Sequence, residues 1–257
     1  MAYDFNTIAC TYDRLNRVMT FGLDRRWRRR AVHAVAGGRW PVVSVLDVAC
    51  GTGDMMLELL KRGCTVTGVD LSEEMLEIAR KKTASANFPL STFHFQLGNA
   101  EALPFAEGEF DAVTCAFGVR NFVHLEKGLN EMLRVLKPGG TMVILELATP
   151  DSPIIKPFYN FYTKHIIPWL GSRIAGNREA YIYLPESIER FPKGDDFLKV
   201  ILNSQFSILS CCQRRLTFGV CRLYIINKEV AVPGRPLCHI NPKTVAKVRP
   251  FPGPHNT

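Results

Sequence analysis

The residues best suited to chemistry lie where an apolar strand enters a helix through a glycine turn flanked by carboxylates: Val45-Leu46-Asp47-Val48-Ala49-Cys50-Gly51-Thr52-Gly53-Asp54. Such a turn normally receives a pyrophosphate, and a third glycine lets helix and strand pack closely. Here Met56 occupies the third-glycine position, and Asp47, Asp54 and Glu58 crowd the turn with no Lys or Arg before Lys61. Two like charges about 5 Å apart at an effective dielectric of about 20 repel by roughly 3 kcal/mol. The turn therefore disfavours a pyrophosphate and suits a nucleotide-like ligand carrying positive charge. Nineteen residues past Gly51, the strand-like run Thr65 to Val69 ends in Asp70, a carboxylate placed to accept both ribose hydroxyls of an adenosine. Together, in this order and spacing, the two features point to S-adenosylmethionine (SAM), a sulfonium with an α-ammonium group. A purely structural turn is the alternative.

These residues need a scaffold that delivers strand ends to one place. Strand and helix signals alternate through the first 150 residues, which predicts βαβ units and a parallel sheet. Strands are expected at Val42 to Ala49, Thr65 to Asp70, Thr92 to Leu97, Phe110 to Phe117 and Thr141 to Ala148. Helices are expected at Met55 to Lys61, from Ser72 with Ser72 as cap, and over Leu125 to Leu136, where Lys137-Pro138-Gly139-Gly140 is a stop signal. Residues 150–195 break the alternation with prolines and aromatics, as a helical cap would. Phe206 to Leu216 and Val220 to Asn227, joined by Thr217-Phe218-Gly219, form an antiparallel pair. The expected fold is α/β, a doubly wound, mostly parallel seven-stranded sheet with a C-terminal antiparallel pair. Ligands of open α/β sheets bind beyond the carboxyl ends of the strands, so Gly51, Asp70, Asn99 and Arg120 should line one crevice.

The chain divides into an N-terminal helical segment (1–40), a main domain (41–230) and a basic, proline-rich tail (231–257). At 257 residues it holds one α/β domain with a substantial core. The first ten residues lack a basic-then-apolar pattern, and no apolar run reaches bilayer length. Eight cysteines without Cys-x-x-Cys or metal-ligand spacing read as buried thiols in a reducing compartment, with no metal site and a cytoplasmic setting. The net charge of +8 is concentrated at the ends, +4 in residues 1–33 and +4 in 231–257, leaving the middle neutral. Basic ends suit an anionic membrane surface or nucleic acid, and solvated segments are the alternative. Arg25 to Arg30 beside Trp27 would seat the chain peripherally on the inner face of a membrane.

The chain resembles the class I SAM-dependent methyltransferases, with their Rossmann-like fold, through Leu46 to Asp54, Asp70 and Leu133 to Gly140. Within them it resembles the UbiE-type ubiquinone/menaquinone biosynthesis C-methyltransferases, through Tyr12-Asp13-Arg14-Leu15-Asn16, Phe21-Gly22, Trp27-Arg28, Asn99 to Phe105, Phe117 to Phe122, Tyr181 to Ile188, Phe191-Pro192 and Leu216 to Gly219. The resemblance runs from about residue 3 to 228. It implies SAM as donor and carbon methylation of a prenylated quinol, either demethylmenaquinol or a 2-polyprenyl-6-methoxy-1,4-benzoquinol. It also implies that Thr52, Asp70 and the Asn99-Ala100 pair contact the cofactor, while Gly51 and Gly53 let the backbone approach the methionine moiety. Asp47 is counted with that site. Ala116 stands where the family often has serine, leaving a backbone contact alone. Asn177 stands where aspartate is usual.

Methyl transfer mainly requires donor and nucleophile to be aligned and water excluded. Arg120, too basic to abstract a proton, would stabilise a ring phenolate, with Asn121 hydrogen-bonded to the ring oxygen or a water. A structural salt bridge is the other reading of Arg120. Tyr12 would line the lid or order water, or serve as a packing staple. His124 reads as a cap or a solvated residue. Phe158, Tyr159, Phe161, Tyr162 and Trp169 would wall a tunnel for a prenyl tail or pack as helical core. Two rivals stand beside the quinol reading: the same fold acting on another small or lipid acceptor, and a non-catalytic scaffold subunit of a quinone-synthesis assembly. A homo-oligomer is compatible with either. The Asn-Pro-Pro-aromatic motif of nucleic-acid amino-methyltransferases is absent, so nucleic acid is not an expected partner.

Overall fold

The computed structural model describes residues 9–35, 44–174 and 178–230. The basic tail and Asn177 lie outside the described residues. Seven apolar runs form one sheet: β1 (Ser44–Val48), β2 (Thr65–Asp70), β3 (Phe93–Leu97), β4 (Phe110–Ala116), β5 (Leu136–Leu147), β6 (Ile208–Leu216) and β7 (Cys221–Lys228). Their spatial order is β3-β2-β1-β4-β5-β7-β6. Strands β1 to β5 pair in parallel, and β7 runs antiparallel to both β5 and β6. The order reverses at β1, which has β2 on one side and β4 on the other, and this creates the crevice predicted beyond the strand ends.

The helices are α1 (Ala9–Met19), α2 (Leu23–Val35), α3 (Asp54–Leu60), α4 (Glu73–Ser85), α5 (Leu125–Val135), α6 (Ile155–Phe161), α7 (Ile167–Ile174), α8 (Arg178–Arg190) and α9 (Asp195–Leu202). Central strands covered on both faces are mainly apolar, as β1 and β4 are apart from Ser44, Asp47, Asp111 and Thr114. On one face Trp27, Met56, Leu59 and Leu76 join a core with Val45 and Val66, and on the other Leu129, Met132, Leu133 and Phe197 pack with Leu46 and Val113. Ser72 caps α4 as expected, its Oγ accepting the Met75 N–H at 3.1 Å. At the far end of α5, Lys228 Nζ donates to the carbonyls of Leu133 and Leu136, both at 2.8 Å, satisfying groups that the helix itself leaves unpaired.

One local expectation changes. Helix α5 does stop at Val135, but the chain re-enters the sheet at once: Leu136 pairs with Phe110, and the next partner, Ala112, pairs with Thr141. Lys137-Pro138-Gly139-Gly140 is therefore a bulge inside β5 and not a separating loop. A Cβ at Gly140 would lie 2.8 Å from the Asp111 carbonyl oxygen, so only glycine permits this approach. In the cap, α6 runs through a π turn (Tyr162–Ile166) into α7. The widened turn precedes Pro168, which has no N–H to return to Lys164.

Candidate active site

A cavity of about 260 Å³ opens where β1, β2 and β4 end, lined by Tyr12, Gly51, Asp70, Leu71, Met75, Asn99, Ala100, Ala116, Phe117, Asn121 and Phe122 among others. The turn after β1 reaches it by positive φ at Ala49 (52°), Gly51 (54°) and Gly53 (81°). Phe117, at the end of β4, also has a positive φ of 63°, a conformation that strains a bulky residue and clusters at functional sites. Its ring stacks edge-on with Trp27 at 6.3 Å and lies under the Arg28 guanidinium at 5.2 Å. Gly118 follows because a Cβ there would come within 2.7 Å of Ala49 Cβ.

Asp70 faces this cavity. Its Oδ2 accepts the Gly51 N–H at 2.8 Å and its Oδ1 accepts the Ser72 N–H at 3.0 Å. Burial pushes its carboxyl up, against the pull of those backbone donors. Each oxygen keeps further lone-pair capacity, as a ribose-binding carboxylate requires. Asn99 Oδ1 accepts the Glu101 N–H at 2.9 Å, and Glu101 Oε1 accepts the Val123 and His124 N–H groups at 2.7 and 2.9 Å. Glu101 thus staples the loop after β4 to the loop after β3. His124 itself is exposed at the start of α5 and makes no side-chain cap.

On the far side of the cavity, Tyr183 donates to Asn121 Oδ1 at 3.1 Å. The phenol of Tyr12 is raised by burial, with Arg120 pulling it down. Arg120 stands behind these groups and does not line the cavity. Its Nη1 donates to Glu146 Oε1 and to the Phe117 carbonyl, both at 2.6 Å, and the pair is 5% and 1% exposed. The salt bridge is the arrangement present, although the buried Arg120 Nε has no hydrogen-bond partner.

Several residues of the glycine turn are engaged with the protein itself. Asp47 is buried beneath the turn, accepting from Thr114 Oγ1 at 2.6 Å, and burial raises its carboxyl to about 7. Thr52 is turned from the cavity: its hydroxyl donates to Asp13 Oδ1 at 2.5 Å and accepts from Lys82 Nζ at 3.3 Å. Gly53 serves packing, since a Cβ there would meet Ala79 Cβ at 3.1 Å. Nor do the carboxylates stand unopposed. Burial would raise Asp54, but Arg28, Lys82 and Arg17 outweigh it and hold its carboxyl low, and Glu58 pairs with Lys61 at 2.6 Å. Arg17, Arg28 and Lys82 approach from α1, α2 and α4. The carboxylate left facing the ligand space from this region is Asp70.

The N-terminal cluster also differs from expectation. Trp27 is 2% exposed and donates to Thr217 Oγ1 at 2.9 Å, so it is a core residue and not a membrane anchor. Arg28 is buried against Asp24 at 2.6 Å. Among the cap aromatics, Phe158, Phe161 and Trp169 are exposed, which fits neither a tunnel wall nor a packed core. Tyr162 instead donates to the Met19 carbonyl at 3.0 Å.

A seven-stranded sheet with β7 reversed, a glycine turn after β1 and an acidic end to β2 on one cavity define a class I SAM-dependent methyltransferase. The solved structures agree at the level of fold. A putative SAM-dependent methyltransferase from Methanococcus maripaludis superposes with TM-score 0.59 at 17% identity, covering 91% of this chain and 98% of its own. A SAM-dependent methyltransferase from Thermotoga maritima gives 0.58 at 16%, covering 88% and 100%. The chain belongs to the ubiE/COQ5 methyltransferase family, whose model matches residues 2–228. A demethylmenaquinone methyltransferase of Thermus thermophilus is 44% identical over 223 residues, 86% of this chain and 98% of the relative. One from Bacteroides fragilis is 42% identical over 228 residues, 87% and 90%. The ubiquinone/menaquinone biosynthesis C-methyltransferase UbiE of Geobacter sulfurreducens is 42% identical over 226 residues, 86% and 85%. Among the described residues, no helix is long and apolar enough to cross a membrane.

Proposed function

We propose that this enzyme transfers the methyl group of SAM to a ring carbon of demethylmenaquinol, giving menaquinol. The observation that carries the reading is the joining, in one cavity, of a ribose-type carboxylate (Asp70) to a polar pair (Tyr12 and Asn121) suited to a phenolic acceptor. The names of the Thermus thermophilus and Bacteroides fragilis relatives support the acceptor. In this reading Asp70 accepts the ribose hydroxyls, Gly51 admits the methionine moiety, and Asn99 and Ala100 border the adenosine. Ala116 offers only its backbone, and Leu71, Met75 and Phe122 supply apolar surface. Asp47, Thr52 and Gly53 shape the turn without touching the cofactor.

SAM supplies an electrophilic methyl group and a leaving thioether. Ionising a quinol hydroxyl would make the adjacent ring carbon nucleophilic towards that methyl group, C–C bond formation would accompany C–S cleavage, and one proton per methyl transferred would leave to solvent. Asn121 and Tyr12 orient the ring oxygen. Arg120, held by Glu146 and by the Phe117 carbonyl, contributes positive charge from behind them. Helix α1 carries Tyr12 and closes the cavity as a lid. The proposed setting is the cytoplasmic face of a membrane, where a prenylated acceptor resides.

The name of the Geobacter sulfurreducens relative covers ubiquinone as well as menaquinone biosynthesis, and the benzoquinol of ubiquinone synthesis is therefore the second acceptor to test. The deciding experiment supplies SAM and each quinol under reducing conditions and follows ring methylation by mass spectrometry. Faster methylation of demethylmenaquinol is expected. Preference for the benzoquinol would overturn the acceptor assignment, and methylation of neither would overturn the quinol reading.

A further inference from the structure

The continuous helix formed by α6, the π turn and α7 turns large apolar side chains outward. Phe158, Phe161 and Trp169 are 75%, 61% and 54% exposed, and Ile154, just before the helix, is 76% exposed. With His165 they recur every three or four residues, the spacing of one helical stripe. The stripe is continuous: the Phe161 ring centroid lies 5.1 Å from that of His165, and the Arg173 guanidinium sits 5.4 Å over Trp169. The inward side of the same helix meets the protein, with Thr163 and Ile167 buried and Tyr162 bonded to α1. Phe21, 80% exposed at the α1–α2 turn, extends the stripe through a ring contact of 5.8 Å with Tyr162. Contiguous apolar surface of this kind marks an interaction site.

Along the stripe's own helix the charges have one sign. Between Asp151 and Glu179 the sequence holds Lys156, Lys164, Arg173 and Arg178 and no acid. Lys156, Lys164, His165 and Arg173 are exposed. Beyond Phe21, α2 adds the exposed Arg25, Arg26, Arg29 and Arg30, while its one acid, Asp24, is buried against Arg28. Aromatics flanked by cations complement acyl chains beneath anionic headgroups. A second copy of this chain on the same face would set cation against cation.

We infer that the outward stripe of residues 154–173, together with Phe21, is the surface by which this protein seats on an anionic bilayer. The helix lies in the headgroup plane, with its rings in the acyl boundary and its Lys and Arg among the phosphates. The same helix carries Tyr159, whose phenol is raised by burial and drawn down by Arg120. Delivery of a prenylated acceptor by this route rests on the proposed function, whereas the docking itself does not.

The test is sedimentation of the full chain with phosphatidylcholine vesicles, with and without about one-third phosphatidylglycerol. Binding to the anionic vesicles is expected, accompanied by a blue shift of Trp emission that Trp169→Phe removes. The double variant Phe158→Ser/Phe161→Ser should bind roughly tenfold more weakly or worse, as should Lys156→Gln/Lys164→Gln/Arg173→Gln, and high salt should release the wild type. All these side chains are exposed, so circular dichroism and SAM affinity measured without vesicles should match the wild type, which separates a failure of docking from a failure of the methyltransferase reading. Equal vesicle binding by the wild type and the Ser double variant would overturn the assignment. So would a wild-type dimer, seen by light scattering, that the Ser variants dissociate while vesicle binding persists.

Discussion

Replacing Asp47 by Asn should make the protein less sensitive to alkali without weakening its hold on SAM. Asp47 is 1% exposed, its Oδ1 accepts from Thr114, and its Oδ2 is buried with no partner. Burial raises its carboxyl from the usual 3.8 to about 7, with Asp70 adding to the rise and Thr114 and Arg28 opposing it. The folded state therefore holds this proton more tightly than the unfolded chain. Stability from the protonated form is complete below about pH 4 and is lost as pH rises through about 7. Integrating the two titrations from pH 5 to pH 8 gives a loss of about 2.5 kcal/mol attributable to Asp47. The substituted amide would keep the Thr114 bond but not the titration. The stability difference between variant and wild type, from urea unfolding at both pH values, should move by about that amount in favour of the variant at pH 8. Any fixed cost of seating the amide NH2 cancels in this comparison. A difference independent of pH would refute the argument, and a variant that no longer binds SAM would return Asp47 to the cofactor site.

Lys82→Met removes the cation that bridges Asp13 of α1, Thr52 and Asp54; with about 1 kcal/mol for a partly exposed pair, the KM for SAM should rise roughly fivefold with kcat less affected, and an unchanged KM would show that this link does not hold α1 closed. Arg120→Ala leaves Glu146 buried without its counter-charge, which should lower stability by about 3 kcal/mol, keep SAM affinity and abolish turnover. Retained turnover would remove Arg120 from the mechanism, and unchanged stability would contradict the buried pair. Ser72→Ala removes the cap of α4 and should lower stability by about 1 kcal/mol in denaturant unfolding; no change would mean the Met75 N–H finds another acceptor.

The strands and their order of use were legible because each is an apolar run punctuated by glycine, proline or charge, and the parallel crossovers leave few topologies. Asp70, Gly51 and Asn99 were legible for the same reason, since strand ends in such a sheet converge on one crevice. Side-chain direction was not. Whether Thr52 faces ligand or lid depends on positive φ at Gly51 and Gly53 and on Asp13 and Lys82, 39 and 30 residues away. The same convergence of Arg17, Arg28 and Lys82 on Asp54 undid the electrostatic argument for a cationic ligand at the turn, although Asp70 alone still supports one. Glu146 carries no local signal beyond being a lone acid in an apolar strand, and Glu101 is marked only by its place within the Asn99 to Phe105 motif. In the cap, helical spacing marked Phe158, Phe161 and Trp169 as one stripe, but spacing is blind to whether a stripe faces in or out.

The most direct test of the account is calorimetric titration of SAM into the wild type and Asp70→Ala, with circular dichroism confirming that both are folded. If Asp70 holds the ribose, the variant should lose at least about 2 kcal/mol of binding, roughly thirtyfold in affinity. Equal affinity in the two proteins would contradict the placement of SAM in this cavity.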